Sequence, residues 1–546
     1  MTSSDNESSM FLNVGERVRG RPTSGPLLDW YYVHNGYLDH GKQYDVPEGI
    51  ELEVQPAQKS EPIIEADKPW ENGRVGQVHR LDYKNGKYIL HYMGDRKHFC
   101  VAESSDGFKW TKPNLGLAEF EGSKNNNIVP GLGHHYVFED PSASPEERFK
   151  ALSHIGGMFD PKLDSQGAPV SFQRSATADD LMAGDDDDPT ENVDVLEIQE
   201  ANRDTHKGKW AQLKMFLVPS VSPDGLNWTT LKDELMLGEW IDGDRIARYD
   251  ERLGKYIAYL RFHTAGRRAI GISESKDFRK LSPEYSVLQI DSMDPPGDSF
   301  YHNSYTKYPG REDLHLMFVS IFHHGSGLLD VQLAVSHDGM HWDRPDRRTP
   351  IISNGPEGSG ESGMIYACPQ LQVLPDGRYA LAYHGSAQLH AFGDEVKPGV
   401  KEDVVRLAMW DKDRLVGIKS RGYGRFTLRQ DLYRESENCP DSTEAPVNDS
   451  FPPLANPNEG PRQLKLNYRC EPGGWIKAEL IPLIGPMPYP DIGPIKNYSF
   501  EDCDTLSGDS VDQVVTWKGN DNIARLSDSM AVRIEMYKTT LFSFSV

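Results

Sequence analysis

Apolar and aromatic positions recur along this chain in short alternating runs broken by turn residues, the period of half-buried β-strands. Five segments share one form, a strand, a tight turn and an aromatic-rich strand: GQVHRLDYKNGKYILHYMG from Gly76, HHYVFEDPSASPEERFKALSHIG from His134, DRIARYDERLGKYIAYLRFHT from Asp244, FYHNSYTKYPGREDLHLMFVSIFHH from Phe300 and SGMIYACPQLQVLPDGRYALAYHGS from Ser362. A second device follows the early segments. ESSDGFKW (from Glu103), VSPDGLNW (from Val221) and AVSHDGMHW (from Ala334) each place Ser, Asp-Gly and Trp in one hairpin, with a degenerate copy in SESKDFRKL from Ser273. Asp-Gly is a hairpin signal because glycine tolerates the positive φ of a tight turn. Including the copy at Asp277, the device recurs at roughly 50 to 60 residues, the size of a propeller blade.

Five units of four strands predict a five-bladed β-propeller over 61–433, all-β, with the segment 1–60 a candidate to close the ring. An insertion over 159–209 carries GDDDDPTENVDV, a like-charge run that reads as a solvated loop without the spacing of a calcium loop. Residues 434–463, rich in Pro, Ser, Asn and Glu, read as a linker. Beyond them LKLNYRC, GWIKAELI, QVVTWKG and the last seventeen residues alternate as strands of an antiparallel β-sandwich over 464–546.

Charge and composition narrow the partners. Across 546 residues the formal net charge is −24, which repels nucleic acid and anionic membrane surfaces and favours a neutral ligand. No apolar run has the length of a membrane span and the first residues lack the pattern of a signal peptide, so the expected location is cytoplasmic, or secreted with a leader outside this sequence. The five cysteines lack C-x-x-C spacing and read as buried thiols. With no phosphate loop or dinucleotide fingerprint, no cofactor is expected; His323 and His324, neighbours on a strand, point to opposite faces and do not suggest a metal site.

The hairpins, the stretch SSDGFKWTKPNLGLAEFEGSKNNNIV and the trailing SFEDCDTLSGDSVDQVVTWKG resemble proteins described as similar to glycoside hydrolase family 32, over roughly Pro69 to Val546. The resemblance implies the five-bladed propeller shared by families 32, 43 and 68, a carbohydrate substrate and cleavage of furanosides such as fructosides or arabinosides. The family's Trp-x-Asn-Asp-Pro-Asn-Gly, Arg-Asp-Pro and Glu-Cys motifs do not stand intact here. Their nearest counterparts are Glu139-Asp140-Pro141 and Glu361-Ser362.

In a propeller the inner strands begin near the axis, so acids just before them converge at one end of a channel. Glu71, Asp242 and Asp244, Asp298, and Glu361 hold such positions, while the second inner strand offers His134, His135 and, near its end, Asp140. Glycoside hydrolysis needs two carboxyl groups, one protonated and one ionised, and a confined cluster raises the pKa of one of them. Asp244 is the expected nucleophile or base, Glu361 the general acid, and Asp298 the group that tunes pKa or holds hydroxyls. His79, Arg80, His302 and Tyr301, with Glu71, Asp140 and Asp242, are the expected sugar-binding groups, with Trp70, Trp240 and Tyr366 as stacking partners. The hairpin acids Asp106, Asp224 and Asp338 recur from blade to blade and are expected to be structural. A glycan-binding protein without chemistry, and a phosphorolytic enzyme of the family 130 type using Arg74, Arg80, Arg245 or Arg248, remain alternatives.

Overall fold

The computed structural model describes residues 25–39, 42–95, 97–132, 136–163, 169–174, 213–231, 236–237, 245–251, 253–264, 266–346, 348–390, 402–428, 462–484, 487–488, 493–523 and 530–546. These are all-β apart from two short 3-10 turns. No helix among them is long and apolar enough to cross a membrane. Most of the expected insertion and linker, Trp240, Asp242, Asp244, His134 and His135 lie outside the described residues.

The described residues form two compact units, one within 57–344 and 352–409, the other within 25–56, 345–351 and 410–546. In the first unit five antiparallel sheets follow one another. Their innermost strands are Val75–Lys84, Tyr136–Glu139, Arg245–Asp250, Asp298–His302 and Met364–Val373. Each sheet packs on the next, and the inner strand of the fifth returns to that of the first, so the sheets form a closed cycle. One parallel pairing, Leu329 with Met364, joins the fourth to the fifth. The outer strand of the fifth sheet is Gln58–Lys59, which pairs with Asp403–Trp410, so the chain's early residues complete its last sheet.

The repeated hairpins owe their shape to local bonds. Ser104 Oγ accepts from the Gly107 N–H at 2.9 Å, Asp106 Oδ1 accepts from the N–H groups of Phe108 and Lys109 at 2.8 Å, and the Trp110 indole donates to the Gly107 carbonyl at 2.8 Å. The same bonds recur at Ser222, Asp224 and Trp228 and at Ser336, Asp338 and Trp342. Their turn glycines sit at φ 82, 79 and 77°. In the degenerate copy Phe278 holds this left-handed position at φ 60°, which costs about 1 kcal/mol for a side chain, while its ring packs on Phe138 and Tyr256.

The second unit holds a seven-stranded antiparallel sheet whose longest members are Lys465–Ile484, Met530–Ser545 and Val416–Leu428, and a two-stranded ribbon of Tyr37–Asp39 with Lys42–Tyr44. LKLNYRC and GWIKAELI, expected as separate strands, are one strand: the register shifts between Cys470 and Trp475, at Gly473 and Gly474, and pairing resumes on the same partner. Val416–Leu428 shifts register at the same level, between Ser420 and Tyr423. The sheet therefore folds over itself there. Leu466, Leu541 and Phe544 from one half and Ile476, Ala478, Ile534 and Met536 from the other share one core, a sandwich made from a continuous sheet. Val416–Leu428 belongs here, and the compact units divide at Met409 and Trp410, because its partners lie in this sheet.

Candidate active site

The acids before the inner strands fall into two groups. Glu71, four residues before its strand, is fully buried: Oε1 accepts from the Tyr92 hydroxyl at 2.6 Å and pairs with Lys112 Nζ at 2.6 Å, and Oε2 accepts from the N–H groups of Asp67 and Lys68. Glu361, three residues before the fifth inner strand, repeats this. Its Oε2 accepts from Tyr383 at 2.6 Å, Lys59 Nζ lies 3.2 Å from Oε1, and Arg406 lies at 3.8 Å. Burial, reinforced by the carboxylates, keeps the Tyr92 and Tyr383 hydroxyls protonated and donating. A glycine two residues past each tyrosine makes room: a Cβ on Gly94 would sit 3.2 Å from Glu71 Cγ, and one on Gly385 only 2.4 Å from Glu361 Cβ. In the fourth sheet buried Asp294, four residues before its inner strand, takes Arg344 in the same role. Three sheets thus tie the segment before the inner strand to a cation from the outer edge. Recurrence gives Glu71 and Glu361 a structural task.

Asp298 differs. It is the first residue of its inner strand, and the His323 imidazole reaches its Oδ1 at 3.0 Å and Asp330 Oδ2 at 3.3 Å. Hydrogen bonding to Asp330, outweighing burial and helped by Asp298, raises the His323 pKa to about 9. At neutral pH an imidazolium therefore bridges two carboxylates. His324, the next residue, turns to Ser299 Oγ at 2.9 Å instead. The raised pKa makes the bridge fully stabilising below about pH 6.5, with the contribution lost as pH rises through about 9. We expect the urea midpoint of the wild-type protein to fall between pH 7 and 10 by more than that of His323→Asn; parallel profiles would show that the bridge contributes nothing.

On the fifth sheet, His384 Nε2 meets Asp403 Oδ1 at 3.1 Å, and Arg74 donates to Asp403 Oδ2 at 3.0 Å while pairing with Glu402 at 2.9 Å. Tyr366 stacks on His384 with centroids 5.8 Å apart and lies 6.0 Å from Tyr301, which meets His390 edge-on at 4.5 Å. These rings form an aromatic floor that adjoins Asp403 through His384. Such floors suit the C–H faces of sugars, and carboxylates suit their hydroxyls.

Rings also bring four inner strands together. His79 contacts Tyr136 at 4.9 Å, Tyr136 contacts His302 at 5.4 Å, and His302 contacts Tyr366 at 5.9 Å. Ser304 Oγ donates its one proton to the Ala367 carbonyl at 2.7 Å, so toward His302 Nδ1, at 2.8 Å, it must accept. His302 therefore carries a proton on Nδ1, and its Nε2 is hydrogen-bonded to the Tyr136 hydroxyl.

The remaining expected groups are occupied elsewhere. Arg80 pairs with Asp82 and lies over the Phe149 ring. Buried Asp140 accepts from Tyr256 and Ser142, each at 2.6 Å; burial pushes its pKa up, and these bonds more than offset that, leaving it low. Trp70 donates to Asn127 Oδ1. Arg248 donates to the Pro369 carbonyl. Among the described residues no group of three His, Cys, Asp or Glu side chains is placed to hold a metal ion.

Asp330, His384 and Asp403 escaped the sequence reading. A signal existed for the first two: each is an ionisable residue inside an otherwise apolar strand run, LLDVQLAV and YALAYHGS. Tyr136 gave none, since tyrosine is an ordinary strand former.

No family model matches the sequence, and no curated protein matches it. Among solved structures it is similar to a thermostable family-43 glycoside hydrolase, at 14% identity over 64% of this chain and 94% of that one, with a TM-score of 0.35. It is also similar to an endo-arabinase from Bacteroides thetaiotaomicron, at 13% identity over 64% and 96% of the two chains with a TM-score of 0.33, and to the Bombyx mori GH32 beta-fructofuranosidase, at 9% over 89% and 93%, also 0.33. Superposition at this level assigns no chemistry.

Proposed function

We propose that the first unit is a glycosidase that cleaves a glycosidic bond where its inner strands begin, with a furanoside, fructoside or arabinoside, as the substrate class. One observation carries the reading: Asp298 opens its inner strand hydrogen-bonded to an imidazolium, and Tyr301 of the same strand belongs to the aromatic floor. Asp244 immediately precedes Arg245, the first residue of the neighbouring inner strand, so the sequence sets both acids at corresponding strand starts. One carboxyl donates its proton to the leaving oxygen as the C–O bond breaks, and the other attacks the anomeric carbon or takes a proton from water. Asp298 and Asp244 are the pair we favour; because the His323 imidazolium holds Asp298 as a carboxylate, Asp298 takes the role of nucleophile or base and Asp244 that of proton donor. Glu361, the acid expected from sequence, has its carboxylate enclosed by Tyr383 and Lys59.

A glycan-binding protein without chemistry is the second reading. It is favoured by the cationic partners of Asp298 and Asp403, which let both accept sugar hydroxyls while ionised. Sugar release from a panel of fructosides, arabinosides and other glycosides separates the two. Release without phosphate is the expected result; glycan binding with no release across the panel overturns the glycosidase, and release that requires phosphate makes the enzyme a phosphorylase.

A further inference from the structure

Asp298, His323 and Asp330 form a chain across three strands of the fourth sheet. His323 stands opposite Asp298 in the register, and Asp330, on the third strand Leu328–Ser336, stands opposite Ile321, so the three side chains share one face. His323 Nδ1 reaches Asp298 Oδ1 at 3.0 Å and Nε2 reaches Asp330 Oδ2 at 3.3 Å. Among the described residues the Asp330 carboxylate meets His323 alone, and its Oδ1 is buried without a donor. The arrangement occurs once. The residue paired with the corresponding strand start is Gly94 in the first sheet, Leu152 in the second, Leu260 in the third and Ser386 in the fifth. Packing devices in this unit recur from sheet to sheet, and this one does not.

Both ring nitrogens face carboxylate oxygens, so keeping both bonds requires the doubly protonated imidazolium; removing one proton turns a lone pair toward a carboxylate. Hydrogen bonding to Asp330 is the largest cause of the raised His323 pKa, ahead of burial, which opposes it, and of the smaller help from Asp298. That order matters during the reaction. When Asp298 bonds to the anomeric carbon, or takes a proton from the attacking water, its negative charge is consumed, while the Asp244 proton passes to the leaving oxygen as the C–O bond breaks. No proton leaves His323, and Asp330 is then the anion that keeps the imidazolium compensated. We propose that Asp330 is a positioning residue, which through His323 preserves the donor to Asp298 while the Asp298 charge is consumed, and so sets how far toward alkaline pH the site works. This rests on the glycosidase reading of Asp298 and adds the regulation of that site by pH. The remaining titratable groups near the ring, His324 and His390, pack on Phe322 on the opposite face of the sheet, with Arg268 within electrostatic reach of His324.

The test compares kcat of the wild-type and Asp330→Asn full chains between about pH 6 and about pH 8.5, on the member of the fructoside, arabinoside and other glycoside panel that the wild type cleaves best. The ratio of the two rates is the readout, because loss of the Asp244 proton lowers both alike and cancels. The amide keeps an acceptor for the His323 Nε2–H without the charge, so His323 stays protonated across this range in the wild type and loses its proton within it in the variant. The ratio is therefore expected to grow about tenfold from the acid to the alkaline end, a shift of roughly one pH unit or more in the His323 titration, with KM unchanged. A loss that does not vary with pH, as damaged packing would give, a loss carried by KM, or no difference between the proteins overturns the inference and leaves the glycosidase standing. No release by the wild type from any member of the panel overturns both. Should Asp330→Asn not fold, the wild-type protein decides: an NMR titration should find the His323 imidazole losing its proton near pH 9, and loss near the ordinary value of about 6.5 overturns the inference.

Discussion

Asp298→Asn is expected to lower sugar release by about 10²- to 10⁴-fold, the range over which a positioned acid or base contributes. The replacement keeps the shape and leaves an amide oxygen to accept from His323, so the strand start and its bridge to Asp330 stay in place. What disappears is the capacity to carry or exchange a proton at that carboxyl. Asp244→Asn should fall by a similar factor, and the double variant by little more than either, because two groups that act on one bond are not additive. Glu361→Gln supplies the contrast. Its carboxylate is held by Tyr383, Lys59 and Arg406, so the loss should appear in thermal stability while kcat of the remaining folded protein holds. Rates for Asp298→Asn at the wild-type level, or a collapse of kcat in fully folded Glu361→Gln, would exchange the two assignments.

What the sequence disclosed follows from how far each signal reaches along the chain. The Ser-x-Asp-Gly hairpins are made by bonds within seven residues, so residue type alone specifies them. The membership of Val416–Leu428 depends on pairing with Met530–Ser545, more than a hundred residues on, and its composition is that of any buried strand. The acids before the inner strands were found, but their jobs were not, because a carboxylate that locks a sheet and one that faces a ligand look alike in a single segment. A wider comparison separates them. Glu71-Asn-Gly with Tyr92-x-Gly94 recurs as Glu361-Ser-Gly with Tyr383-x-Gly385, and the glycines provide the space that the glutamate occupies. Recurrence marks packing, as it did for the hairpin aspartates, while Asp298 and its histidine lack a counterpart of that form among the described sheets.

The lock in the first sheet sets up the largest expected loss of stability. Glu71 is buried and the Lys112 side chain nearly so, and removing one partner of such a pair leaves an uncompensated charge, at a cost of about 3 to 5 kcal/mol for a fully buried pair. Glu71→Gln should approach that figure, because the Lys112 ammonium keeps Asp67 alone as a charged partner and the Tyr92 hydroxyl loses its anionic acceptor. Lys112→Met should cost a comparable amount for the opposite reason, a carboxylate left with only neutral donors. Combining the two removes both charges, and the double variant should recover a large part of the loss, since replacing a whole buried pair by neutral groups is often close to neutral. Because the chain has two compact units, the measurement belongs in the first sheet itself: hydrogen exchange of amides in Lys87–Gly94 and His98–Ser104 should accelerate in each single variant and slow again in the double. Losses that simply add in the double variant would mean that Glu71 and Lys112 do not act as a pair, and the recurring lock would then be three separate contacts with no common purpose.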